Sequence, residues 1–227
     1  MDARKAFLLA DSDSALNEQL VRGRILIVAP AGANPHRVTG GQLYDFTGSV
    51  FIPGVSLDRV VSMLQDYDHR AQYFPETIST SKLLCRTGKN RFRYSMRLKE
   101  PAVIDVESDV FWERPDPHRW RLRSYSTRVS EVGKDHGYLR KLYSYWRFAE
   151  VEHGVYVEGQ TITLSDEFGS MARTFGSMLM GISPVKSVRN SLAAMRESVL
   201  KPSFQIPTIP EGLPECGAPV QPGECAH

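Results

Sequence analysis

The chain has 227 residues, 41% of them hydrophobic and 24% charged, with three cysteines. That length and composition exclude a disordered chain and a disulfide-dense mini-scaffold, and they fit one large domain or one domain with appendages. Lys and Arg total 28 against 26 Asp and Glu, a net charge of +2, and the basic residues are interleaved with acidic ones, which argues against a dedicated nucleic-acid binder.

In chain order, the first segment reads MDARKAFLLADSDS. Its apolar run, Ala6 to Ala10, is shorter than the ~7–15 residues of a signal-peptide core, and no window reaches the ~18–20 apolar residues of a membrane span. As written the chain reads as cytoplasmic; a periplasmic or secreted protein whose signal had been removed would read the same. A helix is expected over roughly residues 4–21, stopping at Gly23. Gly54-Val55-Ser56 then ends an extended stretch. Ser56 is a good N-cap for a helix in which Leu57, Val60, Val61 and Leu64 share one face.

Beyond this helix the period changes to two. In 91–98, Phe92, Tyr94, Met96 and Leu98 alternate with Arg91, Arg93, Ser95 and Arg97. In 103–112, Ile104, Val106, Val110 and Trp112 alternate with Asp105, Glu107 and Asp109. In 119–129, Trp120 and Leu122 alternate with Arg121 and Arg123. The run 139–151 carries Leu142, Trp146 and Phe148 on one side, and a turn at His153-Gly154 leads into 155–164. A two-residue hairpin there would set Trp146 opposite Thr161, Phe148 opposite Gly159 and Ser144 opposite Thr163. Adjacent antiparallel strands would then show Arg, Asp/Glu and Arg on one surface, the pattern of a sheet with one solvated and one covered face.

A last helix opens at Ser183-Pro184, with proline at the first helical position. Val185, Val188, Leu192, Met195 and Val199 follow at helical spacing. From Lys201 the chain holds six of its 14 prolines in 27 residues, an extended tail that is either mobile or draped over the body through Phe204, Ile206 and Ile209. The chain therefore divides into an N-terminal helical segment (1–22), a body (23–200) and a proline-rich tail (201–227). Cys85 reads as a small buried hydrophobe, while Cys216 and Cys225 are the two that could pair in an oxidising compartment.

The segment GGQLYDFTGSVFIP (40–53) ends in Pro53-Gly54 and a helix follows. Asp66-Tyr67-Asp68 leads to Tyr73-Phe74-Pro75, then come Ser81-Lys82-Leu83-Leu84 and the meander. Tyr145-Trp146-Arg147-Phe148 and Gly154-Val155-Tyr156-Val157-Glu158 stand in its last hairpin, before a closing C-terminal helix. This order resembles the START-like helix-grip (SRPBCC-type) superfamily, and within it a group of uncharacterised bacterial START-like proteins. The resemblance covers about residues 23–200. It implies an α+β fold in which a curved antiparallel sheet wraps a long C-terminal helix around an internal cavity. It also implies binding of sterols, lipids, polyketides or plant hormones, with a minority of enzymes. No catalytic motif carries over residue by residue.

The residues themselves show no nucleophile elbow, P-loop or Rossmann glycines, and no histidine pair or C-x-x-C at metal spacing. No metal and no cofactor is expected. His69, beside Asp66 and Asp68, reads as a helix-end surface or capping residue. Ser108, Ser124, Ser126, Arg128, Ser144, Thr161 and Thr163 share parity with Tyr94, Met96, Trp112, Trp120, Leu122 and Trp146. A packed core rarely accepts so many hydroxyls, because each buried polar group needs a partner; a cavity wall does. Of these, Tyr94, Met96, Ser108, Ser126, Arg128, Ser144, Trp146, Thr161 and Thr163, with Val188, Leu192 and Met195 from the last helix, are the expected ligand-binding wall. Arg128 is its sharpest candidate: on an inner face the guanidinium would need a ligand anion or a protein carboxylate, and the competing reading is that it faces solvent at the strand end. Ser165 to Ile182 carries three glycines and three methionines; it reads either as a lid, with Phe175, Met178 and Met180 as the lid residues, or as a short core helix with its loops. The leading reading is binding or transfer of a hydrophobic small molecule or lipid, non-catalytic rather than enzymatic. The alternatives are a cyclase- or dehydratase-like enzyme using the cavity as a mould, and an interaction module with a filled core.

Overall fold

The alternating stretches build a curved antiparallel sheet. The computed structural model describes residues 7–11, 13–32, 34–100, 102–167, 184–207, 209 and 212–216. Among these are nine strands: β1 (Leu26–Val28), β2 (His36–Val38), β3 (Gly41–Pro53), β4 (Ile78–Gly88), β5 (Arg91–Leu98), β6 (Ile104–Asp116), β7 (Arg119–Glu131), β8 (Lys141–Val151) and β9 (Gly154–Ser165). They run in the order β1-β3-β9-β8-β7-β6-β5-β4, with β2 also paired to β3. Helix α2 (Leu57–Gln65) and the short α3 (Arg70–Tyr73) fill the β3–β4 connection. The last helix, α4 (Pro184–Leu200), packs mainly on β3.

The reasons are local. Ser56 caps α2 by accepting the Arg59 N–H at 3.3 Å, and Leu57, Val60, Val61, Met63 and Leu64 are buried on the inner side. Proline opens α4, as expected, while Ser183 lies outside the described residues. Leu192, Met195 and Val199 are fully buried against the sheet. The helix approaches closely because β3 carries Gly48 beneath it: a Cβ there would stand 2.6 Å from Leu192 Cδ1 and 2.7 Å from Val188 Cγ1.

Three expectations need correction. The N-terminal helix is shorter than residues 4–21: α1 spans Ser14–Val21, capped by Asp13, and a separate 3-10 turn covers Leu9–Asp11. It does end at Gly23, whose φ of +84° suits glycine. There Arg24 N–H reaches Gln19 C=O and Gly23 N–H reaches Leu20 C=O, a Schellman closure. The β8–β9 hairpin turns at Glu152-His153, so Trp146 faces Gly159, Phe148 faces Val157 and Ser144 faces Thr161. Gly154 is not a turn residue: it pairs with Val151 and lies so close to the Ile52 carbonyl that no Cβ fits. The slip is two residues, so every side chain keeps its expected face. Finally, Cys85 is disulfide-bonded to Cys216, not an isolated core thiol, so the Cys216–Cys225 pairing does not form.

The outer face is solvated and charged over β5–β7, as the alternation implied. Arg93 forks onto Asp109 at 2.6 and 2.9 Å, and Arg97 onto Asp105 at 2.7 and 2.9 Å. Arg97 holds the Asp105 carboxyl below its ordinary value. The same face is covered at β3, β8 and β9, where the N-terminal segment lies on it. Phe7 and Leu8 bury with Ala149, and Glu158, only 1% exposed, accepts the Leu9 N–H at 2.8 Å and pairs with Arg147 at 2.7 Å.

Candidate functional site

On the inner face, residues of one parity line up in rows across the strands. One row reads Phe92, Val110, Ser124, Ser144, Thr161 and Phe46, from β5 to β3. Its neighbour holds Tyr94, Ser108 and Ser126, then Leu142, Thr163 and Tyr44. Directly opposed side chains of this kind have Cβ atoms ~4.5–5.5 Å apart. The hydroxyls singled out from sequence therefore form one continuous band across four strands, β6 to β9.

The band is unevenly satisfied. Tyr94 Oη and Ser124 Oγ are 3.4 Å apart, and Ser126 Oγ accepts the Leu142 N–H at 3.0 Å. Ser144, Thr161 and Thr163 are half-buried. Ser108 is 1% exposed and its Oγ has no hydrogen-bond partner among the described residues. A hydroxyl taken from water without a partner costs free energy, so such a group marks a place where another molecule can bond.

Beside the hydroxyls runs an apolar row: Trp112, Leu122, Trp146, Gly159 and Gly48. Trp146 spreads its ring over Gly159, where a Cβ would meet ring carbons at 2.6 Å. Trp112 donates its Nε1–H to Tyr67 Oη at 2.7 Å, and burial pushes the Tyr67 phenol well above its ordinary value. Val188 is half-buried at the α4 side, with Leu192 and Met195 buried beneath it. Met96 borders the band at 9% exposure.

Two inner-parity carboxylates sit at strand ends and are already engaged. Glu131 accepts the backbone N–H groups of His136 and Tyr138, and Glu150 accepts that of Leu57.

Arg128 does not belong to this wall. Glu107 faces Arg128 while Ser108 faces Ser126, so Thr127 is an extra residue on β7. That bulge reverses the parity beyond it. Arg128 points to the outer face, 69% exposed at its side chain, 3.4 Å from Glu107. There it borders an open polar groove of about 280 Å³ together with Ser95, Arg97, Asp105, Glu107 and Ser130. The groove's charges are matched in pairs.

The guanidinium buried among the described residues is Arg70, which the sequence did not single out. Arg70 is 9% exposed, donates to Leu64 C=O at 2.7 Å, and lies 4.7 and 4.6 Å from the ring centres of Tyr67 and Tyr94. The usable signal was its place three residues after Tyr67, a spacing that brings the two side chains together on one helical turn. His69 is exposed and bonds Asp66 at 2.7 Å.

The expected lid residues Phe175, Met178 and Met180 lie outside the described residues. The approach to that segment is tied down: Arg140 forks onto Asp166 and reaches Asp135 at 2.6 Å, which holds both carboxyls below their ordinary values. Among the described residues, no helix is long and apolar enough to cross a membrane, and no group of three or more His, Cys, Asp or Glu could hold a metal ion.

No family model and no curated protein matches the sequence. Solved structures do match the fold. A STAR-related lipid transfer protein from Xanthomonas axonopodis aligns with a TM-score of 0.53 at 16% identity, over 74% of this chain and 98% of that one. A protein from Thermus thermophilus aligns with 0.53 at 16% identity, over 70% and 98%. The Zhui aromatase/cyclase from a Streptomyces species aligns with 0.51 at 12% identity, over 71% and 98%. The fold is START-like helix-grip: a curved antiparallel sheet closed by a C-terminal helix.

Proposed function

We propose that this chain binds a hydrophobic small molecule between the inner face of the sheet and α4, with the ligand's polar part on the hydroxyl band. The observation that carries this reading is Ser108, a buried hydroxyl with no partner among the described residues, in a row between Tyr94 and Ser126. The apolar rows beside it supply the driving force, about 25 cal/mol per Å² of apolar surface buried. The hydroxyls act as neutral donors and acceptors that fix orientation. Ser126, Ser144, Thr161 and Thr163 line the band; Tyr94, Met96, Trp146, Val188, Leu192 and Met195 frame it. The matched folds of a lipid transfer protein and an aromatase/cyclase support a site of this class.

Native mass spectrometry of the protein purified from expressing cells tests the proposal. A non-covalently bound mass of lipid or polyketide size is expected, removable by organic extraction. Protein that carries no added mass, and takes up none from a lipid extract of the same cells, would overturn it.

A further inference from the structure

The tail reaches the last strand of the sheet and is bonded to it. Cys216 is disulfide-linked to Cys85 of β4, with Cα atoms 5.5 Å apart across a sequence separation of 131. Around that link, Arg86 donates its N–H to Pro214 C=O, and Cys216 donates its N–H to Arg86 C=O, both at 2.9 Å. Glu215 thus sits beside Arg86 as a single parallel bridge. Since β4 ends the strand order, these bonds use edge groups that a further strand would otherwise take.

Upstream the tail has a second anchor. The Arg59 guanidinium donates to the carbonyls of Val199, Lys201 and Phe204, and stacks 4.7 Å from the Phe204 ring centre. Between the two anchors the hold is slight. Ile209 and Leu213 pack on the core, Ile206 is 56% exposed, and no described residue from Lys201 onward is fully buried. Among the described residues, two backbone hydrogen bonds and a few half-buried side chains hold this stretch, against the backbone entropy lost by each residue ordered. The covalent bond lowers that cost, because it removes most of that freedom in advance.

We propose that Cys85–Cys216 is a redox modification site that locks the tail as a strap along β4, and that a dithiol releases it. A thiolate of the dithiol attacks one sulfur, breaking the protein S–S bond and forming a mixed disulfide. Its second thiolate then displaces the remaining protein sulfur. The dithiol leaves as its own disulfide, having given up two electrons and two protons, and Cys85 and Cys216 become thiols. The described tail residues 205–207, 209 and 212–216 detach, with the Arg59–Phe204 anchor as the hinge. Arg86 is left with an unpaired N–H and C=O on an open edge. The sheet keeps its fold, since its core is buried independently of the strap. This inference stands apart from the ligand reading and uses none of its residues.

Hydrogen exchange read by mass spectrometry on the full chain, with and without dithiothreitol, tests it. Alkylation mass shifts first confirm that reduction raises the free thiols from one to three. The expected result is at least tenfold faster exchange at the Arg86 amide and across 205–216, with peptides of β6–β9 unchanged. Cys216→Ser combined with Cys225→Ser, which prevents re-pairing, is expected to show the released pattern without reductant. Unchanged protection of the tail after confirmed reduction would overturn the proposal. So would opening of β6–β9 together with the tail, which would make the bond a staple of the whole fold.

Discussion

Two bands lie side by side on one face of one sheet, and they are built by opposite rules. In the apolar band, large meets small: Trp146 covers Gly159, and α4 settles over Gly48. Trp112 and Trp146 stack on Phe148 with ring centres 6.0 and 6.4 Å away, and the Trp112 N–H finds Tyr67. In the hydroxyl band, small meets small: Ser124 faces Ser144, Ser144 faces Thr161, and Ser108 faces Ser126. The first arrangement fills space. The second sets polar atoms side by side, and one of them, Ser108 Oγ, has no hydrogen-bond partner among the described residues. On the proposed reading, the first band serves stability and the second recognition.

Substitutions separate the two assignments. The largest effect is expected from Phe148→Ala, fully buried in the apolar band: a loss of ~3–5 kcal/mol in denaturant unfolding. Gly48→Ala is next, at ~1–3 kcal/mol, because the new methyl pushes α4 off β3. Within the hydroxyl band the sign should depend on partners. Ser126→Ala removes the bond to Leu142 and should cost about 1 kcal/mol. Ser108→Ala removes a hydroxyl that bonds no described residue, so stability should stay level or rise by up to ~1 kcal/mol. A loss above ~2 kcal/mol at Ser108 would mean that the band is ordinary core.

A smaller effect, outside both bands, concerns Glu158 beneath the N-terminal segment. Burial raises its carboxyl above the ordinary value of 4.5, with Arg147 opposing. A raised carboxyl contributes stability below its unfolded value and loses that contribution as pH rises through its folded one. Melting temperatures of Glu158→Gln should therefore lack this component of pH dependence just above pH 4.5, whereas the wild type should show it. Identical profiles would remove Glu158 as its source.

Much of this contrast was legible in the sequence, because it depends on parity. Strand β5 has the bounds that its Phe-Tyr-Met-Leu alternation implies, 91–98. The hydroxyls shared parity with Trp112 and Trp146, and a two-residue error in the hairpin register left that parity intact. What escaped was whatever breaks the period or joins distant segments. Thr127 carries no mark of being a bulge, yet it turns Arg128 outward. Arg70 lies in a helix of four residues, too short to show a periodic face. Cys85 and Cys216 lie 131 positions apart, and only the path of the tail along β4 brings them together.

The central claim is tested most directly by a variant that removes the hydroxyls and keeps the shape: Ser108→Ala, Ser144→Ala and Thr161→Val together. The measurement is the fraction of protein that carries a bound lipid-sized mass when wild type and variant are expressed in the same cells. The expected result is an occupied wild type, and a variant of equal or higher melting temperature with at least tenfold lower occupancy. Equal occupancy in a stable variant, or an empty wild type, would contradict the account.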